Sequence, residues 1–249
     1  MCSIESLTLE DLRQKTILQK NNYISLRQAQ KPCKSARLTR FFLAKMTQEQ
    51  QFELLIEGIV DKGYAICDDF LEAEEVENLL KIFALRYKSG QFKESSIGKQ
   101  SEVHKAVHIR GDEILWLETE STNVAERILI DKNQAFVNYL NQTCYLGIKD
   151  TEIHFAKYAI GKFYRRHRDT FQAQKGRILS VIYYLNLDWI PADGGNLIIY
   201  TQENGLEKAI TIAPLAGRLV CFESEKLDHE VTETFAERFS VTGWLLNQG

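Results

Sequence analysis

No stretch of apolar residues in this chain approaches the roughly 20 needed to cross a bilayer as a helix, and the first residues lack the apolar core of a secretory signal. No Cys-x-x-Cys pair occurs. The five cysteines (Cys2, Cys33, Cys67, Cys144, Cys221) are scattered and odd in number, so neither a zinc site nor a disulfide framework is expected. There is no internal repeat and no low-complexity tract. Neither sign of charge dominates: 31 Lys/Arg stand against 34 Asp/Glu, and a net −3 gives no reason to expect nucleic acid or a membrane as partner. These absences point to a reduced, cytoplasmic setting. What remains is 249 residues, 44% hydrophobic and 26% charged, long enough to bury a substantial core.

Residues 1–45 differ from the rest. They carry nine lysines and arginines against three acids, with only short apolar pieces, and read as a basic, weakly ordered extension ahead of one domain over 46–249. Thr47 with Gln50 reads as a capping box, with Phe52, Leu55, Ile56 and Ile59 following at helical spacing and Gly63 as the stop. A strand over Tyr64 to Phe70 comes next. The second helix, Glu72 to Tyr87, turns Val76, Leu79, Leu80 and Phe83 to one side. Gly90 to Gln100 reads as a mobile polar loop, and 103–109 and 113–118 as strands around a turn at Arg110-Gly111-Asp112. That tripeptide invites an adhesion reading, which the lack of a secretion signal disfavours. A third helix runs from Asn123 to Asn141. Short strands follow at 152–160, 177–187, 196–200, 208–213, 217–222, 228–232 and 237–246, the pattern of a sandwich or barrel. With the helices gathered in front, the fold class expected is α+β, a double-stranded β-helix (jelly-roll, cupin-like) core over about 150–247.

The chemistry gathers around His167-Arg168-Asp169. In an extended strand, residues two apart project to the same face about 7 Å apart, so one imidazole and one carboxylate can close on one metal ion. A lone His-x-Asp is common by chance. Far along the chain, however, stand His229 and then Arg238 nine residues later. Two histidines and one carboxylate make the facial triad of non-haem Fe(II) oxygenases, which leaves open positions on the metal. His104, His108 and His154 lack such partners and read as surface or hydrogen-bonded core residues.

At these positions the chain resembles the 2-oxoglutarate- and Fe(II)-dependent dioxygenases, and within them the prolyl 4-hydroxylase branch that contains the oxygen-sensing prolyl hydroxylases. The resemblance rests on His167-x-Asp169, Ile182-Tyr183-Tyr184-Leu185-Asn186, Asp193-Gly194-Gly195 before Leu197, Gly217-Arg218-Leu219, His229-Glu230-Val231, Arg238, and Ile109-Arg110-Gly111-Asp112 with Ile114 and Trp116. It spans residues 60 to 247. It implies that His167, Asp169 and His229 bind Fe(II) and that Arg238 grips the distal carboxylate of 2-oxoglutarate. Tyr184, Tyr158 and Ser240 would be further donors to that co-substrate, although the oxygen sensors often lack a serine at the last position. O2 would be the second co-substrate, succinate and CO2 the co-products, and L-ascorbate an aid that keeps the iron reduced. Arg110, Asp112, Trp116 and Arg177 would form the cleft for a proline-containing protein or peptide, with Asp112 and Arg177 pairing across its mouth to organise a mobile loop.

The basic run Lys162, Arg165, Arg166 and Arg168 reads either as a guide for an acidic peptide or as a solvated face. Ile198 stands near where the oxygen sensors usually carry an arginine, which leaves the substrate open. A hydroxylase of a free amino acid or small metabolite, and a non-catalytic binding module, remain alternatives. Nucleic-acid demethylation is disfavoured by the acidic folded part.

Overall fold

The computed structural model describes residues 45–95, 109–169 and 176–247. The basic extension, the strand expected at 103–109 and the end of the polar loop 90–100 therefore lie outside the described residues, wholly or for the most part. Helix α1 (Gln48–Lys62) starts on the capping box: Thr47 Oγ1 accepts from the Gln50 amide at 3.2 Å, and Gln50 Oε1 accepts from the Thr47 amide at 2.9 Å. It stops at Gly63, whose φ of 79° suits a residue without a side chain. Helices α2 (Ala73–Lys88) and α3 (Val124–Thr143) follow, the latter capped by the Asn123 side chain. Among the described residues no helix is long and apolar enough to cross a membrane.

Eleven strands are described: β1 (Tyr64–Cys67), β2 (Lys93–Glu94), β3 (Asp112–Trp116), β4 (Asp150–Tyr158), β5 (Tyr164–His167), β6 (Arg177–Tyr184), β7 (Leu197–Glu203), β8 (Leu206–Ile212), β9 (Leu219–Glu223), β10 (Asp228–Val231) and β11 (Arg238–Leu246). They form a seven-stranded sheet, β1-β9-β6-β11-β4-β3-β2, and a four-stranded sheet, β5-β10-β7-β8. Every pairing between these strands is antiparallel, giving a double-stranded β-helix braced by helices.

The period of two along each strand divides the large sheet into two unlike faces. Leu115, Phe155, Leu179, Val181, Tyr183, Leu219, Cys221, Val241 and Leu245 point to the helices and join Leu55, Leu79, Phe83, Leu129 and Phe136 in the main core. Ile182, Tyr184, Val220 and Phe222 point the other way and meet Leu197, Ile199 and Ile212 of the small sheet. The second interior, between the sheets, is where polar side chains also enter. Arg218 fastens the β9 end by pairing with Asp68, 150 residues earlier, at 2.5 Å.

Four expectations need correction. The strand from Tyr64 ends at Cys67 because Asp69 adopts φ 54°, which turns the chain. Asp112 opens β3 rather than sitting in a turn, and Arg110 forms an isolated bridge to Tyr164. Lys93–Glu94 inside the polar loop pair with β3 as a short strand. Strand β5 was not foreseen: Tyr164-Arg165-Arg166-His167 has no apolar alternation, and its place comes from pairing with β10.

Candidate active site

The small sheet brings the two distant histidines together. His167 closes β5 and lies directly across from His229 of β10 in the antiparallel register. Asp169 follows two residues after His167, just past the strand end. The ligating atoms of His167, Asp169 and His229 all lie within 4.8 Å of one another. Asp169 Oδ1 is 3.4 Å from His167 Nε2 and 3.6 Å from His229 Nε2.

Each of the three is held from behind. His167 Nδ1 lies 2.7 Å from the Arg165 carbonyl and His229 Nδ1 lies 3.4 Å from the Leu227 carbonyl. Carbonyls only accept, so these contacts assign the proton to Nδ1 and leave both Nε2 lone pairs facing the carboxylate. The His167 ring also stacks on Tyr164, centroids 3.6 Å apart. Ser180 Oγ donates to Asp169 Oδ2 at 2.6 Å and lies 2.8 Å from Ser224 Oγ, which ties the carboxylate to β6 of the large sheet. Burial pushes the Asp169 carboxyl up. The neighbouring His229 and His167 rings and the Ser180 hydroxyl outweigh it and hold the group below the usual carboxylate range. Burial pushes His229 down to about 4, so it is neutral at ordinary pH. Two imidazole nitrogens and one carboxylate suit a borderline divalent cation such as Fe(II).

The cleft beside this triad encloses about 480 Å³, its open mouth included, with apolar walls from Ile182, Leu197, Phe222 and Val231. Arg238, only 1% exposed, lines it from the start of β11. Arg238 Nε donates to the Gly195 carbonyl at 2.9 Å, and among the described residues no carboxylate pairs with this arginine. Gly195 (φ 58°) can come this close because it lacks a side chain: a Cβ there would sit 3.1 Å from Arg238 Cδ. The arginine carbon Cζ lies 5.0 Å from the Tyr158 ring and 5.1 Å from the Tyr184 ring. Burial pushes both phenols up, so they stay protonated. Among the described residues the buried Tyr184 hydroxyl meets no hydrogen-bond acceptor, and its phenol feels the Arg238 guanidinium. A buried guanidinium beside an unpartnered phenol donor fits a carboxylate ligand. Ser240, fully buried opposite Tyr184 in register, lies 3.3 Å from the Thr242 hydroxyl.

At the other expected positions the partners differ from the sequence reading. Asp112 receives two hydrogen bonds from Arg110, at 2.6 and 2.8 Å, and one from Ser95 at 2.6 Å. Arg177 instead pairs with Glu152 at 2.8 Å and lies 3.5 Å over the Trp244 ring. The pairing of Asp112 with Arg177 gives way because Arg110, two residues off on the same chain, reaches both carboxylate oxygens. Trp116, expected in the cleft, is not part of its lining: it is 50% exposed and packs on His154, ring centroids 4.8 Å apart. The basic run is largely neutralised: Arg166 pairs with Glu207 and Asp228, and Arg168 with Asp228.

Sequence reading missed Ser180, Tyr164, Thr242 and His154 as parts of this site. For His154 a signal was available, since it shares the strand parity of Ala156 and Tyr158.

These features define an oxygenase fold with its metal and co-acid ends in one cleft, and comparison with known proteins agrees. A model of the 2OG-Fe(II) oxygenase superfamily matches residues 153–246. A solved prolyl-4-hydroxylase from Pseudomonas putida is 31% identical, aligned over 80% of this chain and 99% of its own, with a TM-score of 0.69. The chain belongs to the 2OG-Fe(II) oxygenase superfamily. A Trichoplax adhaerens prolyl hydroxylase, solved with a hypoxia inducible factor oxygen degradation domain peptide, is 27% identical over 81% of this chain and 91% of its own, with a TM-score of 0.72. The hypoxia-inducible factor prolyl hydroxylase of Caenorhabditis elegans is 26% identical over 206 residues, 79% of this chain but only 28% of that relative's length.

Proposed function

We propose that this protein is an Fe(II)- and 2-oxoglutarate-dependent dioxygenase that hydroxylates a proline in a protein or peptide. The observation that carries the reading is the convergence of two donor sets in one cleft. Three ligating atoms meet at His167, Asp169 and His229, and a buried Arg238 stands beside them, with no carboxylate partner among the described residues. The prolyl hydroxylases among its relatives, one of them solved with a peptide, support proline in a peptide as the substrate class.

When bound, ferrous iron and 2-oxoglutarate supply the oxidising power, coupling loss of CO2 and formation of succinate to insertion of one O2 oxygen into a C–H bond. The chain's own residues do the rest. His167, His229 and Asp169 would hold the metal on one side and leave its other positions open. The two terminal nitrogens of Arg238 would take the distal carboxylate as a parallel pair of hydrogen bonds, with the Tyr184 and Tyr158 phenols as further donors. Ile182, Leu197, Phe222 and Val231 exclude water from the reacting centre, where misplacement by about 1 Å is costly. The Arg110–Asp112 pair lines the cleft the substrate would enter. L-Ascorbate as a reductant and a cytoplasmic setting belong to the same reading; the free thiols of buried Cys67, Cys144 and Cys221 favour a reducing compartment.

The test is intact-mass analysis of candidate proteins after incubation with the full chain, Fe(II), 2-oxoglutarate and air. The expected result is one added oxygen atom on a proline, absent with His167→Ala. Oxidation of free amino acids with no protein product would favour the small-metabolite reading, and no succinate under any condition would favour a non-catalytic module.

A further inference from the structure

One buried group in the cleft is used by neither the metal ligands nor the Arg238 end. His154 of β4 is 1% exposed, and among the described residues neither ring nitrogen has a hydrogen-bond partner. Native folds keep few such atoms, because a buried polar group without a partner destabilises the folded state. Of the other polar groups here, Asp112, Asp169 and Ser180 have partners, while the Tyr184 hydroxyl at the arginine end and Trp244 Nε1 have none among the described residues.

Strand register says where the imidazole lies. His154 is opposite Thr242 on β11 and opposite Trp116 on β3. Thr242 in turn is opposite Ile182, one step along β6 from Ser180, the residue that anchors Asp169. Arg238 begins the same β11 four residues earlier. His154 therefore belongs to the metal-ligand end of the cleft, away from the arginine. Its ring packs on Trp116 and Trp244, with centroids 4.8 and 5.6 Å away, and the two indoles also pack on each other at 6.3 Å. Burial, and then the charges of Arg110 and Arg177, push the imidazole down to about 3 despite Asp112, so the ring is neutral.

A neutral imidazole presents one N–H donor and one lone-pair acceptor. A carboxylate offers acceptors only and would satisfy half of it. An extended peptide offers N–H and C=O groups side by side and satisfies both. We propose that His154 is a specificity-determining residue that hydrogen-bonds the substrate's peptide backbone next to the target residue. This assignment rests on the peptide-hydroxylase reading above. His154 lines the cleft, so the peptide would meet the ring from the cleft side, where its nitrogens have no protein partner among the described residues.

The experiment uses the full chain and a set of end-capped peptides with a central proline and varied neighbours, supplied with Fe(II), 2-oxoglutarate and air. Wild type, His154→Leu and His154→Gln are compared on the peptide the wild type oxidises best. His154→Leu is expected to raise the peptide KM by about tenfold, the size of one or two lost hydrogen bonds. The KM for 2-oxoglutarate should move less than about twofold, since its anchor lies at the other end. The metal-free Leu variant should melt higher than wild type, because it replaces unsatisfied polar atoms with apolar ones. Gln, which keeps one donor and one acceptor, should recover part of the peptide KM. An unchanged peptide KM in His154→Leu, or a lowered melting temperature with Gln no better than Leu, overturns the assignment and makes the ring a packing element. Succinate formation by wild type with no oxygen on any peptide is a different failure. It removes the peptide reading itself, and this assignment with it.

Discussion

Among the described residues Arg238 donates through Nε to the Gly195 carbonyl, and its two terminal nitrogens form the planar fork a carboxylate needs. Arg238→Lys should therefore raise the KM for 2-oxoglutarate by roughly 10- to 100-fold while the protein stays folded, read from succinate formation against 2-oxoglutarate concentration. Ser180 acts one step removed, by fixing Asp169. Ser180→Ala should weaken Fe(II) or Mn(II) binding by about tenfold in a direct titration, and Ser180→Thr should retain it. His154 gives a pH signature. Its folded-state value of about 3 lies below the ordinary 6.5, so in acid the unfolded chain takes up the proton first. Stability is then lost progressively as pH falls from 6.5 toward 3, by about 2 kcal/mol at pH 5 from this group. His229, at about 4, adds a loss of the same sign. Urea midpoints in EDTA at pH 7.5, 6 and 5 should fall less steeply for His154→Leu than for wild type. At this scale His167, Asp169, His229 and Arg238 were legible because residue type and order together are restrictive. Ser180 was not, since a serine in the run Ile178–Tyr184 gives no sign of the carboxylate it meets. The partner of Asp112 was misread because a nearby arginine competes with a distant one, and only the folded chain decides between them.

Among the elements, β11 is the most constrained, lying between β4 and β6 and carrying the site on one face and the core on the other. Gly243 lies on its core-facing parity, where an added Cβ would come 2.1 Å from the Glu152 carbonyl oxygen of β4. Gly243→Ala is expected to destabilise the fold by more than about 3 kcal/mol, measured by denaturant unfolding, although it touches no site residue. Helices α1 to α3 were legible because caps and apolar spacing are local signals. Strands β6, β9 and β11 were legible as apolar runs broken by glycine or polar turns. Strand β5 was hidden because its pairing is imposed from β10, sixty residues away, and no local propensity announces it.

For the molecule as a whole, the triad joins two bodies. His167 and His229 belong to the four-stranded sheet, and Asp169 is hydrogen-bonded to Ser180 of the seven-stranded one. A divalent cation held by all three would clamp the sheets together and bind only the folded chain. At a hundredfold excess over its Kd it would add about 2.7 kcal/mol to stability. Adding Mn(II) to the EDTA-treated protein should thus raise its melting temperature by about 5 °C or more, and Asp169→Ala should abolish the rise. The general architecture was readable from the sequence because short antiparallel strands after a helical lead allow few arrangements. The coupling between sheets was not, because it arises only once they face each other.

The Trp244 indole beside His154 gives the cleft an optical use. Of three tryptophans in the chain, Trp244 lines this space, Trp116 packs on His154 without lining it, and Trp189 donates to the Gly194 carbonyl. One intrinsic fluorophore therefore sits where a substrate would arrive, beside the Arg177 guanidinium. Occupancy of the cleft should shift its emission, so binding can be followed without a label and before any turnover.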